Sequence, residues 1–378
     1  MHQPRMPQKP APVVGRPGAP LPRLTAEQLT AFNVGLAEFT KRETVADGLG
    51  PIFNDVSCAA CHLAPVIGGA SRIFVTRFGH TANGSFDPLA NLGGSLLQRR
   101  AINPKTLEFV PPEANTVARR QTTPLFGLGL IEAIPDDTII ALAARPEVDG
   151  VKGRPAFIVD IASGEQRVGR FGWKAQQATL LAFAGDAYVN ELGITNRFFP
   201  EENAPNGKAD VLAKFDTVAD IEEVTDPETG RDGTDELADF QRLLAPLPPV
   251  PLKGAAIAGQ ALFAAVGCAQ CHVPELTTGS SDIAALSEKK VPLYSDLLLH
   301  DMGSLGDGIA QADAGPREFR TAPLWGLRAS APYLHDGRAA NIDRAIRAHD
   351  GEAVVSRDRY QALTATQRAQ LIAFLNTL

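Results

Sequence analysis

The four cysteines of this chain stand in one arrangement used twice, Cys58-Ala59-Ala60-Cys61-His62 and Cys268-Ala269-Gln270-Cys271-His272. Two thiols one helical turn apart can form thioethers with the two vinyl groups of one porphyrin, and the histidine that follows points its imidazole at the iron. The same cysteine spacing also serves zinc knuckles and redox dithiols. Here each pair is followed directly by histidine and no cysteine is left over. Two covalently bound haem c groups are therefore the expectation. Cys58, Cys61, Cys268 and Cys271 would carry the porphyrins, and His62 and His272 would be the proximal iron ligands.

Such motifs need helices to present them. Thr25 and Gln28 have capping-box spacing, and Leu29, Phe32, Leu36 and Phe39 then share one helical face. A second helix is expected from about Ala255, leading into the second motif. The two helices share a local pattern, Gly35-Leu-Ala-Glu-Phe39 and Gly259-Gln-Ala-Leu-Phe263. A further pair follows the motifs: Thr122-Thr-Pro-Leu-Phe-Gly-Leu128 answers Thr321-Ala-Pro-Leu-Trp-Gly-Leu327. Three matched features in the same order indicate an internal duplication. The expected fold is mainly α, two tandem class I cytochrome c-like domains with a small inserted β-hairpin. That hairpin is placed at Phe157–Ile161 and Arg167–Phe171. The proline cluster Pro246, Pro248, Pro249 and Pro251 marks the boundary, giving haem domains over 25–245 and 246–378. Residues 1–24, rich in proline, read as a disordered tail. A C-terminal helix puts Leu371, Phe374, Leu375 and Leu378 on one face.

At 378 residues the chain has room for two or three cores, and its 44% hydrophobic and 21% charged content is that of a globular protein. A net charge of −7 argues against nucleic acid as partner, because phosphate binding needs a basic face. The most acidic stretch, Asp216 to Asp239, has ten acids against Arg231 alone and reads as a solvated loop leading into a short helix. No run approaches the roughly eighteen apolar residues of a membrane span. Covalent haem attachment of this kind normally happens outside the cytoplasmic membrane. Since Met1 to Arg23 contains no apolar signal core, a periplasmic location implies an export signal upstream or already removed.

With Phe319-Arg-Thr-Ala-Pro-Leu-Trp-Gly-Leu327, Pro332-Tyr-Leu-His-Asp-Gly-Arg338, Gly48-Leu-Gly-Pro-Ile-Phe-Asn54 and Tyr294-Ser-Asp-Leu-Leu-Leu-His-Asp-Met-Gly303, the sequence resembles the bacterial di-haem oxidoreductases. These are also labelled thiol oxidoreductases and fall within the wider di-haem cytochrome c peroxidase superfamily. The likeness runs from about Phe32 to the C-terminus. It implies an N-terminal haem that handles hydrogen peroxide or another small oxidant and a C-terminal haem that feeds it electrons. A small donor protein of the cytochrome c or cupredoxin type would supply them. The resemblance also leaves room for a calcium ion, Ca2+, between the domains.

Residue by residue, the resemblance implies the following. His349, 14 residues after His335, stands where relatives carry a methionine ligand to the second iron; Met302, or His300 beside it, is the rival. His80, 18 after His62, stands where relatives carry a displaceable ligand in a loop, and an ordinary loop histidine is the alternative. Glu191, in Asn190-Glu191-Leu192-Gly193, resembles a glutamate over the open haem face, where a carboxylate can move a proton between the oxygens of peroxide. Glu132, bracketed by Ile131 and Ala133, calls for a haem pocket or an ion pair. Phe183 stands where relatives tend to place a pocket glutamine. Trp173 matches a tryptophan between the haems and is the candidate electron relay, against the plainer reading of core packing. The competing function is a dihaem electron-transfer cytochrome with both irons six-coordinate. A haem-based sensor is a third reading, without a visible signalling module. Internal dithiol exchange is excluded if all four cysteines are thioethers.

Overall fold

The computed structural model describes residues 16–218 and 225–378. Of the proline-rich segment expected to be disordered, residues 1–15 lie outside that range. The rest is packed: Leu21 is buried, its N–H donates to Leu243 O at 2.7 Å, and Ala245 N donates back to Ala19 O at 3.0 Å. Of the acidic stretch, residues 219–224 lie outside the description. Its end forms the helix Gly233–Leu243, capped by Asp232, whose side chain accepts from Thr234 N and Asp235 N.

The first helix, Ala26–Thr40, starts with the full Thr25/Gln28 capping box and crosses the helix Gly233–Leu243. The crossing depends on Gly35. A Cβ there would lie 2.1 Å from Glu236 O, so any larger residue would push the helices apart. The second half repeats the device. The helix Ala255–Ala265 crosses the C-terminal helix Ala365–Leu375, and a Cβ at Gly259 would lie 2.0 Å from Gln370 O. Four residues on from these glycines, Phe39 and Phe263 are both buried. The matched helix patterns thus encode one packing arrangement used twice.

The third matched motif also behaves alike in both halves. Gly127 (φ 75°) and Gly326 (φ 74°) take the left-handed conformation and each opens a short helical segment, Leu128–Glu132 and Leu327–Ala329. The two copies touch, for a Cβ on Gly127 would lie 2.9 Å from the Trp325 ring.

Against the expectation of a mainly α chain, the fold is mixed, 34% helical and 16% strand. The inserted hairpin is present, Ala156–Val159 against Gln166–Gly169. The larger difference is a four-stranded antiparallel sheet in the first half. Its central strand, Phe74–Ala82, pairs with Ser85–Asp87, Leu96–Leu97 and Thr116–Gln121. These strands are short and carry several polar residues, so their alternation is weak. Two hydrophobic cores result. The larger holds Phe32, Phe39, Ile131, Phe171 and Phe240 and also takes in Leu286 and Leu297 from beyond the proline cluster. The smaller joins Phe263, Ile342, Tyr360, Leu371 and Phe374.

Gly259→Ala should therefore destabilise the second half despite the better helix propensity of alanine. Overpacking at a backbone-to-backbone crossing costs about 1–3 kcal/mol, which a lower denaturation midpoint at unchanged slope would show.

Candidate functional site

At the first motif a single helical turn, Cys58–Cys61, carries both thiols, and His62 follows as its C-cap. The His62 imidazole places Nδ1 3.1 Å from Gly69 O. With its proton directed to that carbonyl, Nε2 keeps a lone pair for a metal. Burial pushes the His62 pKa down to about 4, so the ring is neutral at physiological pH. At the second motif the turn Cys268–Gln270 leads to His272, whose Nδ1 lies 3.0 Å from Tyr294 O, and burial again lowers the pKa to about 4.

The thiols point the same way. Burial pushes Cys58, Cys61 and Cys268 up to about 12, and raises Cys271 as well. A redox dithiol needs a depressed pKa to form its thiolate. These do not have one, and the donor set of two inert thiols plus an Nδ1-anchored imidazole fits a thioether-linked haem at each motif.

Around Cys61 lies a buried polar cluster. Glu191 sits in the π-helical turn Tyr188–Leu192, a helix irregularity often found at functional sites. Asn54 Nδ2 donates to Glu191 Oε2 at 2.7 Å, and Asn54 N donates to Glu191 O at 2.8 Å. Burial raises the Glu191 pKa against the opposing pull of Asn54 and Arg77, and its charge in turn raises Cys61. Asp186, one turn earlier, is raised by burial too, with Arg77 opposing. Arg77, from the central strand, faces both carboxyls; burial lowers its pKa to about 10 and its Nε has no hydrogen-bond partner. Sequence reasoning missed Arg77 and Asp186. Asp186 carried the same signal as Glu132, a lone acid inside the apolar helix Leu180–Ala187. Arg77 carried none, because the sheet that aims it inward was not foreseen.

At the second motif, His272, His349 and Met302 line one cavity together with Cys268 and Cys271. His349 follows the helix Ile342–Arg347 and sets Nδ1 2.8 Å from Ala345 O, again leaving Nε2 free. Phe263, Leu324, Tyr333, Ile346 and Leu375 supply apolar wall, as a macrocycle needs. His300 is not free to ligate. Its Nε2 lies 3.1 Å from Asp296 Oδ2 and its Nδ1 2.8 Å from Glu352 Oε2, with Cys271 Sγ at 3.7 Å. Burial disfavours its charge, but the flanking groups, led by Asp296, outweigh burial and raise its pKa well above the usual value.

The fold chooses between the two alternatives for Glu132 and corrects the setting of His80. Glu132 does not face a haem pocket as a free acid: Arg242 Nε donates to its Oε2 at 2.6 Å and Leu180 N to its Oε1 at 2.7 Å. Its carboxylate joins two helices and caps a third as an ion pair. His80 is not in a loop. It lies in the strand Phe74–Ala82, opposite Asp87, with Nδ1 2.7 Å from Glu113 O in an exposed setting. Gly79 is in the same strand, where a Cβ would lie 2.4 Å from the Phe86 ring.

Trp173 lines the cavity of the second motif beside Gln121, Thr122 and Thr123 of the first half. Its Nε1 donates to Gln121 O at 2.9 Å, and its carbonyl accepts from Arg320 N at 3.0 Å. His335, the histidine of His-Asp-Gly, stacks on Phe319 at 4.2 Å and meets Trp173 edge-on at 6.3 Å. Phe183 lies parallel to Phe171 at 6.3 Å on the same cavity, so an apolar ring stands where relatives tend to place a glutamine.

A family model described as "Di-haem oxidoreductase, putative peroxidase" matches residues 112–378, a span that includes Trp173, Glu191 and the second haem motif. The chain belongs to the di-haem oxidoreductase family. It is therefore an oxidoreductase of a peroxidase-like, two-haem family. The first motif, at residues 58–62, lies outside the matched span. No curated protein matches the sequence. Solved structures similar to it include hydrazine synthase of Kuenenia stuttgartiensis, at 17% identity and TM-score 0.44, covering 100% of both chains. The diheme peroxidase BthA of Burkholderia thailandensis matches at 15% identity and TM-score 0.40, over 96% of this chain and 94% of its own. A MauG-like protein associated with microbial copper homeostasis matches at 19% identity and TM-score 0.34, over 67% and 89%.

In this di-haem oxidoreductase the His300 clamp sets a pH dependence. For Glu352, burial raises the pKa, but the bonds from His300, Lys152 N and Asp301 N outweigh it and bring it to about 2. A depressed carboxylate stabilises the fold above its unfolded value of about 4.5, and loses that contribution as pH falls through the folded value. Glu352→Gln should lower stability at pH 6 by about 1–3 kcal/mol, because buried His300 loses one charge-assisted partner. It should also flatten the decline of stability between pH 4.5 and 2, as read from denaturant midpoints across that range.

Proposed function

We propose that this oxidoreductase is a periplasmic di-haem c peroxidase-like enzyme, with its oxidant site at the first haem and its electron-entry site at the second. Each haem would belong to one half of the chain, 25–245 and 246–378. Bound haem iron supplies the redox chemistry at both sites. The observation that carries the reading is the asymmetry in what each motif faces. Near Cys61 stands a carboxyl with a raised pKa, Glu191, and that carboxyl is faced in turn by a guanidinium with an unbonded Nε, Arg77. At the second motif the cavity instead contains a second anchored imidazole, His349.

The residues divide the work accordingly. Cys58 and Cys61, and Cys268 and Cys271, would tether the porphyrins, and His62 and His272 would hold the metals. Glu191 takes the proton of a bound peroxide and returns it to the leaving oxygen, and Asn54 holds the carboxyl in place for both transfers. Arg77 stabilises negative charge on that oxygen. His349 closes the second site in preference to Met302, because its free nitrogen is already oriented by Ala345 O. Trp173, packed between segments of both halves, is the electron relay. A small cytochrome c or cupredoxin would deliver electrons at the second haem. Among the described residues no helix is long and apolar enough to cross a membrane.

Three experiments test this on the haem-loaded protein. Replacing His349 by methionine should raise the potential of one haem and add the near-infrared band of His/Met ligation; an unaltered spectrum would move the ligand to Met302. Glu191→Gln should leave both haem spectra nearly intact and slow peroxide turnover by about a hundredfold or more. Turnover at the parent rate would make Glu191 an ordinary carboxylate. A reduced parent that binds carbon monoxide at neither haem would favour the six-coordinate electron-transfer cytochrome, with His80 as the side chain to test first.

A further inference from the structure

Lys174 follows Trp173 directly, and its side chain is fully buried. A buried lysine needs partners, and these come from one short stretch of the second half. Nζ donates to Glu318 O at 2.6 Å, Gly315 O at 3.0 Å and Pro316 O at 3.3 Å. Asp307 Oδ1 lies 3.5 Å away, and the face of the Phe319 ring 4.0 Å away. Three carbonyl oxygens and a carboxylate converging on one point are the donor set of a hard cation such as calcium. Here an ammonium fills it.

The neighbouring charges fit that occupant. Arg120, from the strand Thr116–Gln121, donates through Nε to Asp307 Oδ2 at 2.7 Å, so Asp307 already bridges two cations. The charged groups that face Lys174 are Asp307, Arg120 and Glu318. Burial lowers its pKa to about 8, with Asp307 opposing, and the group is still mostly charged at pH 7. A divalent ion added to the same oxygens would meet the positive charges of Lys174 and Arg120, against Asp307 and a Glu318 carboxylate already paired with Arg154. Elsewhere among the described residues, the one close group of three His, Cys, Asp or Glu side chains is Cys271, Asp296 and His300, beside the second haem motif and unlike a calcium site. At this cage, where the two halves meet, the residues present therefore do not fit a calcium ion.

We propose that Lys174 is a built-in replacement for a bound hard cation: its Nζ occupies the oxygen cage of residues 307–318 and ties the Trp173 segment to the second half without calcium. The tether is covalent at one end, so it cannot be lost by dilution or chelation. It also fixes the indole beside Phe319 and His335, since the neighbouring backbone is clamped by Lys174 on one side and by the Arg320 N–H on the Trp173 carbonyl.

The test uses the haem-loaded protein and reads metal content and thermal unfolding, which do not depend on which haem meets the oxidant. The parent should contain no calcium after desalting, and its melting temperature should be the same in 1 mM calcium chloride as in excess chelator. Lys174→Met, similar in length but uncharged, should melt lower by roughly 5 °C or more, because it leaves Asp307 and three carbonyls short of a partner. If the methionine variant does not fold, Lys174→Gln takes its place, keeping two donors but no charge. One calcium ion per parent chain, with a melting temperature that falls in chelator, would overturn the proposal. So would a Met or Gln variant that melts with the parent, since the ammonium would then be mere filling.

Discussion

An imidazole can bind a metal only through a nitrogen that carries no proton, and in this protein a backbone carbonyl decides which nitrogen that is. Gly69 O, Tyr294 O and Ala345 O each lie within 3.1 Å of an Nδ1, on His62, His272 and His349. Each bond turns Nε2 toward the site and holds the ring there. Gly69 O and Tyr294 O come from irregular segments, whereas Ala345 O belongs to the helix Ile342–Arg347 and also accepts from Ala348 N. Both haem motifs therefore depend on the loops that follow them, and the helices before the motifs serve to hold the cysteine turns against those loops. The glycine-mediated crossings at Gly35 and Gly259 do this by letting two backbones come into contact.

From that common frame the halves diverge by what lies near the cysteine turn. In the first half, a sheet brings Arg77 inward and a π-helical turn brings Glu191 beside Cys61. Burial raises the Glu191 pKa and lowers that of Arg77 to about 10, in each case disfavouring the charged form. In the second half, His300 bridges the carboxylates of Asp296 and Glu352 beside Cys271. Such a clamp rigidifies but has no spare capacity for a substrate proton. Between them, Trp173, Phe319 and His335 form an aromatic contact whose backbone is held by Lys174 and Arg320.

Much of this could be read from the chain alone, for local reasons. Cysteine spacing, capping boxes and helical periodicity depend on neighbours within a turn or two, so the haem motifs, the helices before them and the C-terminal helix were legible. The duplication was legible too, although the matched glycines revealed their purpose only when Glu236 and Gln370 were seen beneath them. His349 was found from its offset to the His-Asp-Gly motif, a resemblance and not a deduction.

What required the tertiary structure was every fact about a long-range partner. Glu132 and Glu191 were both candidate acids in the sequence, yet one meets Arg242 and the other Asn54 and Arg77. His300 and Met302 were both candidate ligands until two carboxylates were found on His300. His80 changed from loop to strand because its pairing partners lie across a sheet that weak alternation concealed. Local sequence determined that two haem motifs exist and which helices carry them. Only the fold decided which side chains face them, because the energy of a buried charge is set by the groups that surround it, and those come from distant parts of the chain.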